Sequence, residues 1–149
     1  MIDVGVVEID ALATHQLRRQ VLRAGTPSAD VHLDEDDDPA AFHLGIRRDG
    51  ALVACVSFSP QQLAARPDVE AWRFRAMAVD EHHQSEGLGR VVLLAGFDRL
   101  RASGVPLVWA KARDTAVGFY ERLGMVVVGD GFVDEATALA HHVMIREPV

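Results

Sequence analysis

Cysteine is almost absent from this chain. Cys55 stands alone, which excludes an intramolecular disulfide and any cysteine-based metal cluster. Set between the apolar Val53 and Val56, it is expected to be a small core residue and not a nucleophile. Long apolar runs are missing too: nothing approaches the roughly 18 to 20 residues of a membrane span. The opening MIDVGVVEID has no basic region followed by an apolar core. The expectation is a cytoplasmic protein with no membrane partner. Cations are scarce, with 15 Lys and Arg against 22 Asp and Glu and a formal net charge of −7, so the clustered positive charge that a nucleic-acid partner requires is lacking. Repeats and low-complexity linkers are also absent, and 149 residues suit one domain, expected to span residues 1–149.

What is present reads as alternating strands and helices. Leu12, Leu17, Val21 and Leu22 fall at helical spacing, so a helix is expected over residues 12–24, ended by Gly25, Thr26 and Pro27. The acidic run from Asp34 to Asp38 is expected to be a solvated loop, too charged to pack. Residues 42–47 and 51–59 read as two strands of a hairpin turning at Asp49-Gly50, a pair suited to positive φ angles. The second is apolar on both faces and so belongs in the middle of a sheet. A third strand is expected over residues 70–79, a helix over about 88–102, and strands over 107–112, 125–128 and 142–146, with a short helix over 115–123. Strand, helix and strand in one direction make a right-handed crossover, and ligands bind beyond the carboxyl ends of such strands.

At that place stands QSEGLG, residues 84–89. A glycine-bearing turn feeding a helix leaves backbone N–H groups unpaired with the positive helix end behind them, an anion site most naturally filled by phosphate. No lysine and hydroxyl follow Gly89, so a nucleoside triphosphate loop of the GxxxxGK[ST] kind is excluded. Val92 stands where a dinucleotide fingerprint needs its third glycine.

The segment resembles the acyl-coenzyme A loop of the GNAT N-acetyltransferase superfamily, [QR]xxGxG/A after a strand and before a helix, with Gln84, Gly87 and Gly89 in place. TAVGFYERLGM, residues 115–125, resembles the superfamily's downstream AxxFYxxxGF signature through Ala116, Phe119, Tyr120 and Gly124. ALAHHVM, residues 138–144, is similar to the LPHxxM ending of the ElaA-like branch. Arg113 replaces a frequent asparagine, and Met125 the usual phenylalanine.

The resemblance implies an α/β (α+β) fold: a mixed, mostly antiparallel central sheet with helices on both faces and a splayed strand pair at the acyl-CoA site. It implies an acyltransferase that moves an acetyl group from the co-substrate acetyl-CoA, with no metal, to a primary amine of a small molecule or peptide. The backbone of Gln84, Ser85, Glu86, Gly87, Leu88, Gly89 and Arg90 would hold the pyrophosphate. Main-chain groups of Met77, Ala78 and Val79 would pair with the pantetheine amides, and a bulge near Met77 and Ala78 would polarise the thioester carbonyl. Tyr120 would meet the coenzyme sulfur and protonate the leaving thiolate, with no special tuning of the phenol. Direct attack is preferred to an acyl-enzyme because no activated nucleophile is visible.

For the base that deprotonates the amine, Glu70, Asp34, Asp36, His141, His142 and His43 all remain candidates. His82 and His83 point apart on an extended segment and suggest no metal. Arg73 and Arg75 line the acceptor cleft or pair with acids. A homodimer is allowed by the sequence. Two other classes stay open: a non-catalytic acyl-CoA sensor of the same fold, and a loop that binds ATP or NAD but not CoA.

Overall fold

The computed structural model of the chain describes residues 5–23 and 30–149. The first strand, β1 (Val6–Ile9), is only four residues long, too short for its pattern to stand out in the sequence. Helix α1 (Ala11–Leu22) starts where the Asp10 side chain accepts the Ala13 N–H at 2.8 Å, and it buries Thr14, Leu17 and Arg18. Its expected end at Gly25 to Pro27 lies outside the described residues.

Strands β2 (Phe42–Arg48) and β3 (Ala51–Pro60) form the expected hairpin, and Asp49 and Gly50 take φ of 52° and 82°. Seven consecutive residues of β3, Val53 to Ser59, are buried, as a central strand requires. Next come β4 (Ala71–Val79), α2 (Leu88–Ala102), β5 (Leu107–Arg113), α3 (Val117–Glu121), β6 (Val126–Val133) and β7 (Ala140–Arg146). Strand β6 runs past the expected Val128: the register shifts between Val128 and Phe132, and the strand pairs again at Phe132 with His141. A bulge of this kind hides a strand's continuation from an alternation pattern. Strand β4 begins at Ala71, which leaves Glu70 exposed ahead of it.

The seven strands make one sheet in the order β1-β2-β3-β4-β5-β7-β6. The ladders β1/β2, β2/β3, β5/β7 and β6/β7 are antiparallel. The β4/β5 ladder is parallel, pairing Ala71 to Arg73 with Leu107 to Trp109. Three residue pairs are few for strands of nine and seven residues, as expected of a pair that splays.

Contacts group the chain into two compact units, Met1–Pro60 with Phe74–Phe97, and Gln61–Arg73 with Asp98–Val149. The first is centred on an aromatic cluster in which the Phe58 ring stacks on Phe42 at 5.0 Å and meets Phe74 at 5.9 Å and Phe97 at 6.4 Å. Gly96 lets α2 approach this cluster, since a Cβ there would stand 2.1 Å from the Phe58 ring. The second unit packs Leu63, Ala71, Leu107, Trp109 and Ile145 together. There Trp109 donates its indole N–H to the Gln61 carbonyl at 2.9 Å, and the Arg73 guanidinium lies 4.8 Å from its ring centre. No helix among the described residues is long and apolar enough to cross a membrane.

The acidic run corrects the sequence expectation. Asp34–Asp37 forms a 3-10 turn, and the Asp36 side chain is 1 % exposed. Arg18, equally buried, grips it through Nη1 at 2.7 Å and Nη2 at 3.1 Å. Charge alone predicted solvation, but a bidentate guanidinium from α1 supplies the partner that makes burial affordable.

Candidate active site

Strand β4 ends in the segment expected to face the coenzyme. Ala76 takes φ of 56°, left-handed geometry that costs a residue with a Cβ about 1–2 kcal/mol. A left-handed residue thus stands next to Met77 and Ala78, the place where a bulge is expected, and no sequence signal marks an alanine for such a conformation. Its carbonyl receives the Cys55 thiol at 3.9 Å. Burial pushes that thiol up to about 11, so Cys55 is the inert core residue expected.

Beyond Val79 the Asp80 side chain accepts the His82 N–H at 2.9 Å and starts a 3-10 turn, Glu81–Glu86. The Gln84 side chain reaches back to donate to the Val79 carbonyl at 3.2 Å, which ties the turn to the strand end. Gly87 then adopts φ of 74°, and α2 begins. The first bond into this helix is Val91 N–H to the Gly87 carbonyl at 3.2 Å. In that geometry the N–H groups of Gly87, Leu88, Gly89 and Arg90 lie ahead of the intrahelical ladder.

The two glycines differ in purpose. A Cβ on Gly87 would meet nothing within 4 Å, so the turn demands its φ and not its small size. A Cβ on Gly89 would make ordinary contacts with Val79 at 3.4 Å and Met77 at 3.6 Å. Ser85, Glu86, Gly87 and Arg90 are exposed, and an open depression of about 650 Å3 lies alongside, lined by Gln20, Val21, Asp80, Glu81, His82 and Gln84. His83 bonds Glu86 at 2.5 Å, and His82 is exposed beside Glu81.

The second motif lies in the other unit. Helix α3 ends with Met125 N–H on the Tyr120 carbonyl at 3.1 Å, Gly124 N–H on the Glu121 carbonyl at 3.1 Å, and Gly124 at φ 84°. That is a Schellman cap, which explains the motif's glycine. The Tyr120 ring meets Phe119 edge to face at 5.2 Å. Burial pushes the Tyr120 phenol up to about 12, against a smaller downward pull from Arg113. Handing its proton to a thiolate of ordinary pKa ~8.5 is then uphill by roughly 5 kcal/mol. The expectation of a proton donor that needs no tuning is corrected on this ground: the phenol is suited to donating a hydrogen bond while keeping its proton.

The candidate bases separate clearly. Glu70 and Asp34 are exposed. His141 is buried, its Nδ1 bonded to the Leu139 carbonyl at 2.8 Å and its ring stacked on Phe132. His142 is tied to Asp114 at 2.7 Å. His43 is 6 % exposed and bonded to Ser57 at 2.7 Å, a partner the sequence did not announce. Of the paired arginines, Arg73 covers Trp109 and Arg75 bonds Glu35 at 2.7 Å.

Among the described residues one group could offer ligands to a metal, His15, His32 and Asp36, whose ligand atoms lie within 4.8 Å of one another. Both Asp36 oxygens already accept from Arg18, and Oδ2 also from the Leu33 N–H. A cation would have to displace a guanidinium, so the set does not fit one.

Known proteins resemble this chain in sequence and in fold. The model of the acetyltransferase (GNAT) family matches residues 9–125. The chain is 29 % identical over 145 residues to the uncharacterised N-acetyltransferase YitI of Bacillus subtilis, covering 97 % of this chain and 95 % of that one. Its fold is similar to that of Escherichia coli ElaA, with a TM-score of 0.77 at 19 % identity over 99 % of this chain and 100 % of the other. It is similar also to an aminoglycoside 6'-N-acetyltransferase solved in complex with coenzyme A, with a TM-score of 0.70 at 14 % identity over 100 % and 98 %. A turn that leaves four backbone N–H groups ahead of the α2 ladder is in keeping with this, and the family match across most of the chain makes this protein a member of the GNAT acetyltransferase family.

Proposed function

We propose that the chain is one N-acetyltransferase domain over residues 1–149 that moves an acetyl group from acetyl-CoA to a primary amine by direct attack, in the cytoplasm and without a metal. The observation that carries this reading is the start of α2, where a left-handed Gly87 closes the turn that follows β4 and leaves N–H groups ahead of the helical ladder at a positive helix end. Gln84 to Arg90 hold the pyrophosphate through their backbone. Met77, Ala78 and Val79 offer main-chain groups to the pantetheine, and the left-handed Ala76 beside them re-aims a backbone donor toward the thioester oxygen. Tyr120 donates a hydrogen bond to the departing sulfur and keeps its proton.

Parallel calorimetric titrations with acetyl-CoA, CoA, ATP and NAD test the reading. Selective binding of the two coenzyme A forms, followed by thiol release on adding amines, is the expected result. Binding of acetyl-CoA with no transfer to any amine would make the protein a sensor. Binding of ATP or NAD without CoA would overturn the assignment of the turn.

A further inference from the structure

Ser57 on β3 and His43 on β2 are cross-strand partners, and their side chains meet with Oγ and Nδ1 2.7 Å apart. Arg18 Nη2 donates to the same Oγ at 2.7 Å. With one acceptor site of the hydroxyl taken by Arg18, its own hydrogen is available to Nδ1, and a relay through this pair requires the ring to carry its proton on Nε2. Nε2 lies 4.0 Å from Asp36 Oδ1, beyond a hydrogen bond but close enough for the carboxylate to stabilise an imidazolium. Hydroxyl, imidazole and carboxylate in this order make a proton relay.

The relay borders a cavity of about 10 Å3 lined by Glu35, Asp36, His43, Ser57, Ser59 and Arg75, room for one water or one ammonium head. Glu35 gives Oε1 to Arg75, while its Oε2 is shut off from solvent and accepts no hydrogen bond. An ionised oxygen in that state calls for a donor. The neighbouring carboxylate needs none, since Arg18 and the Leu33 N–H occupy Asp36. Arg75, which closes one side, directly precedes the left-handed Ala76.

We propose that this cavity receives the ammonium group of the acceptor, which bonds Glu35 Oε2 and Ser57 Oγ and gives up one proton through Ser57 to His43. The proposal rests on the N-acyltransferase reading and extends it to a substrate class. An ammonium N–H bond breaks as its proton joins Ser57 Oγ, and the hydroxyl's own proton passes to His43 Nδ1. The products are a neutral amine, whose freed electron pair attacks the thioester carbonyl, and an imidazolium that later loses its proton to solvent. The groups facing His43 are Asp36 and Glu35 of the 3-10 turn, Arg18 of α1, Arg75 of β4, Glu8 of β1 and Asp10 at the start of α1. Burial, aided by Arg18, holds the imidazole below its ordinary range against Asp36, Asp10 and Glu8, so it is neutral and able to take a proton at pH 7. So small a cavity admits a primary amine on an unbranched carbon and excludes one on a quaternary carbon.

Two experiments on the full chain test this. In 15N-histidine NMR without coenzyme, His43 is expected as the Nε2–H tautomer. n-Butylammonium chloride should shift its signals saturably, tert-butylammonium should not, and Glu35→Gln should weaken the effect about tenfold. The Nδ1–H tautomer, no response to n-butylammonium, or an equal response to the tert-butyl compound overturns the proposal. In acetyl transfer to n-butylamine, His43→Gln should lower kcat/KM by about 100-fold or more and remove the lower-pH limb of its profile, with acetyl-CoA affinity unchanged. Ser57→Ala should do the same while still binding n-butylammonium, which covers the case of a His43 variant that folds poorly. A retained limb in both variants, or no transfer by coenzyme-bound wild-type protein, also overturns it. Failure of the family reading is seen separately, as wild-type protein that binds no acetyl-CoA.

Discussion

Replacing Gly87 by alanine separates what the phosphate turn needs for folding from what it needs for binding. Gly87 sits at φ of 74° with open space where a Cβ would go, so the alanine meets no clash. It pays instead for the left-handed conformation, about 1–2 kcal/mol, partly offset by ~0.4–1 kcal/mol from a less flexible unfolded chain. The net loss is about 1 kcal/mol, which for a chain of 149 residues lowers Tm by roughly 3 °C. If the turn relaxes to negative φ, at least two of the four N–H groups leave the phosphate. At ~1.5 kcal/mol or more for each hydrogen bond to a charged group, acetyl-CoA binding weakens by about 100-fold. Gly89→Ala is the matched control: its methyl packs on Val79 and Met77 and raises helix propensity by up to ~1 kcal/mol. Its stability should equal or exceed wild type, with affinity within a few-fold. Urea unfolding and calorimetry with acetyl-CoA measure both quantities. Wild-type affinity in Gly87→Ala would refute the argument that this turn aims the N–H groups.

Tyr120→Phe should leave acetyl-CoA affinity unchanged and lower kcat, and because the phenol stands near 12, no limb of the wild-type kcat profile between pH 7 and 10 should vanish with it. Arg18→Met strands the buried Asp36 charge and should cost about 3–5 kcal/mol in urea unfolding. Asp36 is itself held below the usual carboxylate range by its bonds to Arg18 and Leu33, which outweigh its burial. Its contribution is therefore present above pH ~4 and lost as pH falls through the lower folded value, which acid titration of wild type against Asp36→Asn should show. Gly96→Ala sets a helix gain of ~1 kcal/mol against a Cβ 2.1 Å from the Phe58 ring. That ring is 1 % exposed and wedged among three other phenylalanines, so overpacking of about 1–3 kcal/mol wins and the variant should be less stable.

The sequence by itself determined whatever rests on neighbours along the chain. The Asp49-Gly50 hairpin, the buried run of β3, the reach of α2 from Leu88 to Ala102 and the glycine turn before it all follow from local pattern and backbone freedom. So does the Gly124 cap, whose hydrogen bonds stay within six residues. What only the tertiary structure decided rests on partners far apart in sequence. Four residues are too few to declare β1 until β2 pairs with them. The acidic run looked solvated because Arg18, 18 residues before Asp36, is the reason it is not. The phenol of Tyr120 looked ordinary because burial, which moves it, is not written in its motif. His43 was one base among many until β3 placed Ser57 across from it and Glu35 was left with an unfilled oxygen. Backbone geometry is encoded locally, whereas the charge state and reactivity of a side chain depend on burial and on partners that only the folded chain supplies.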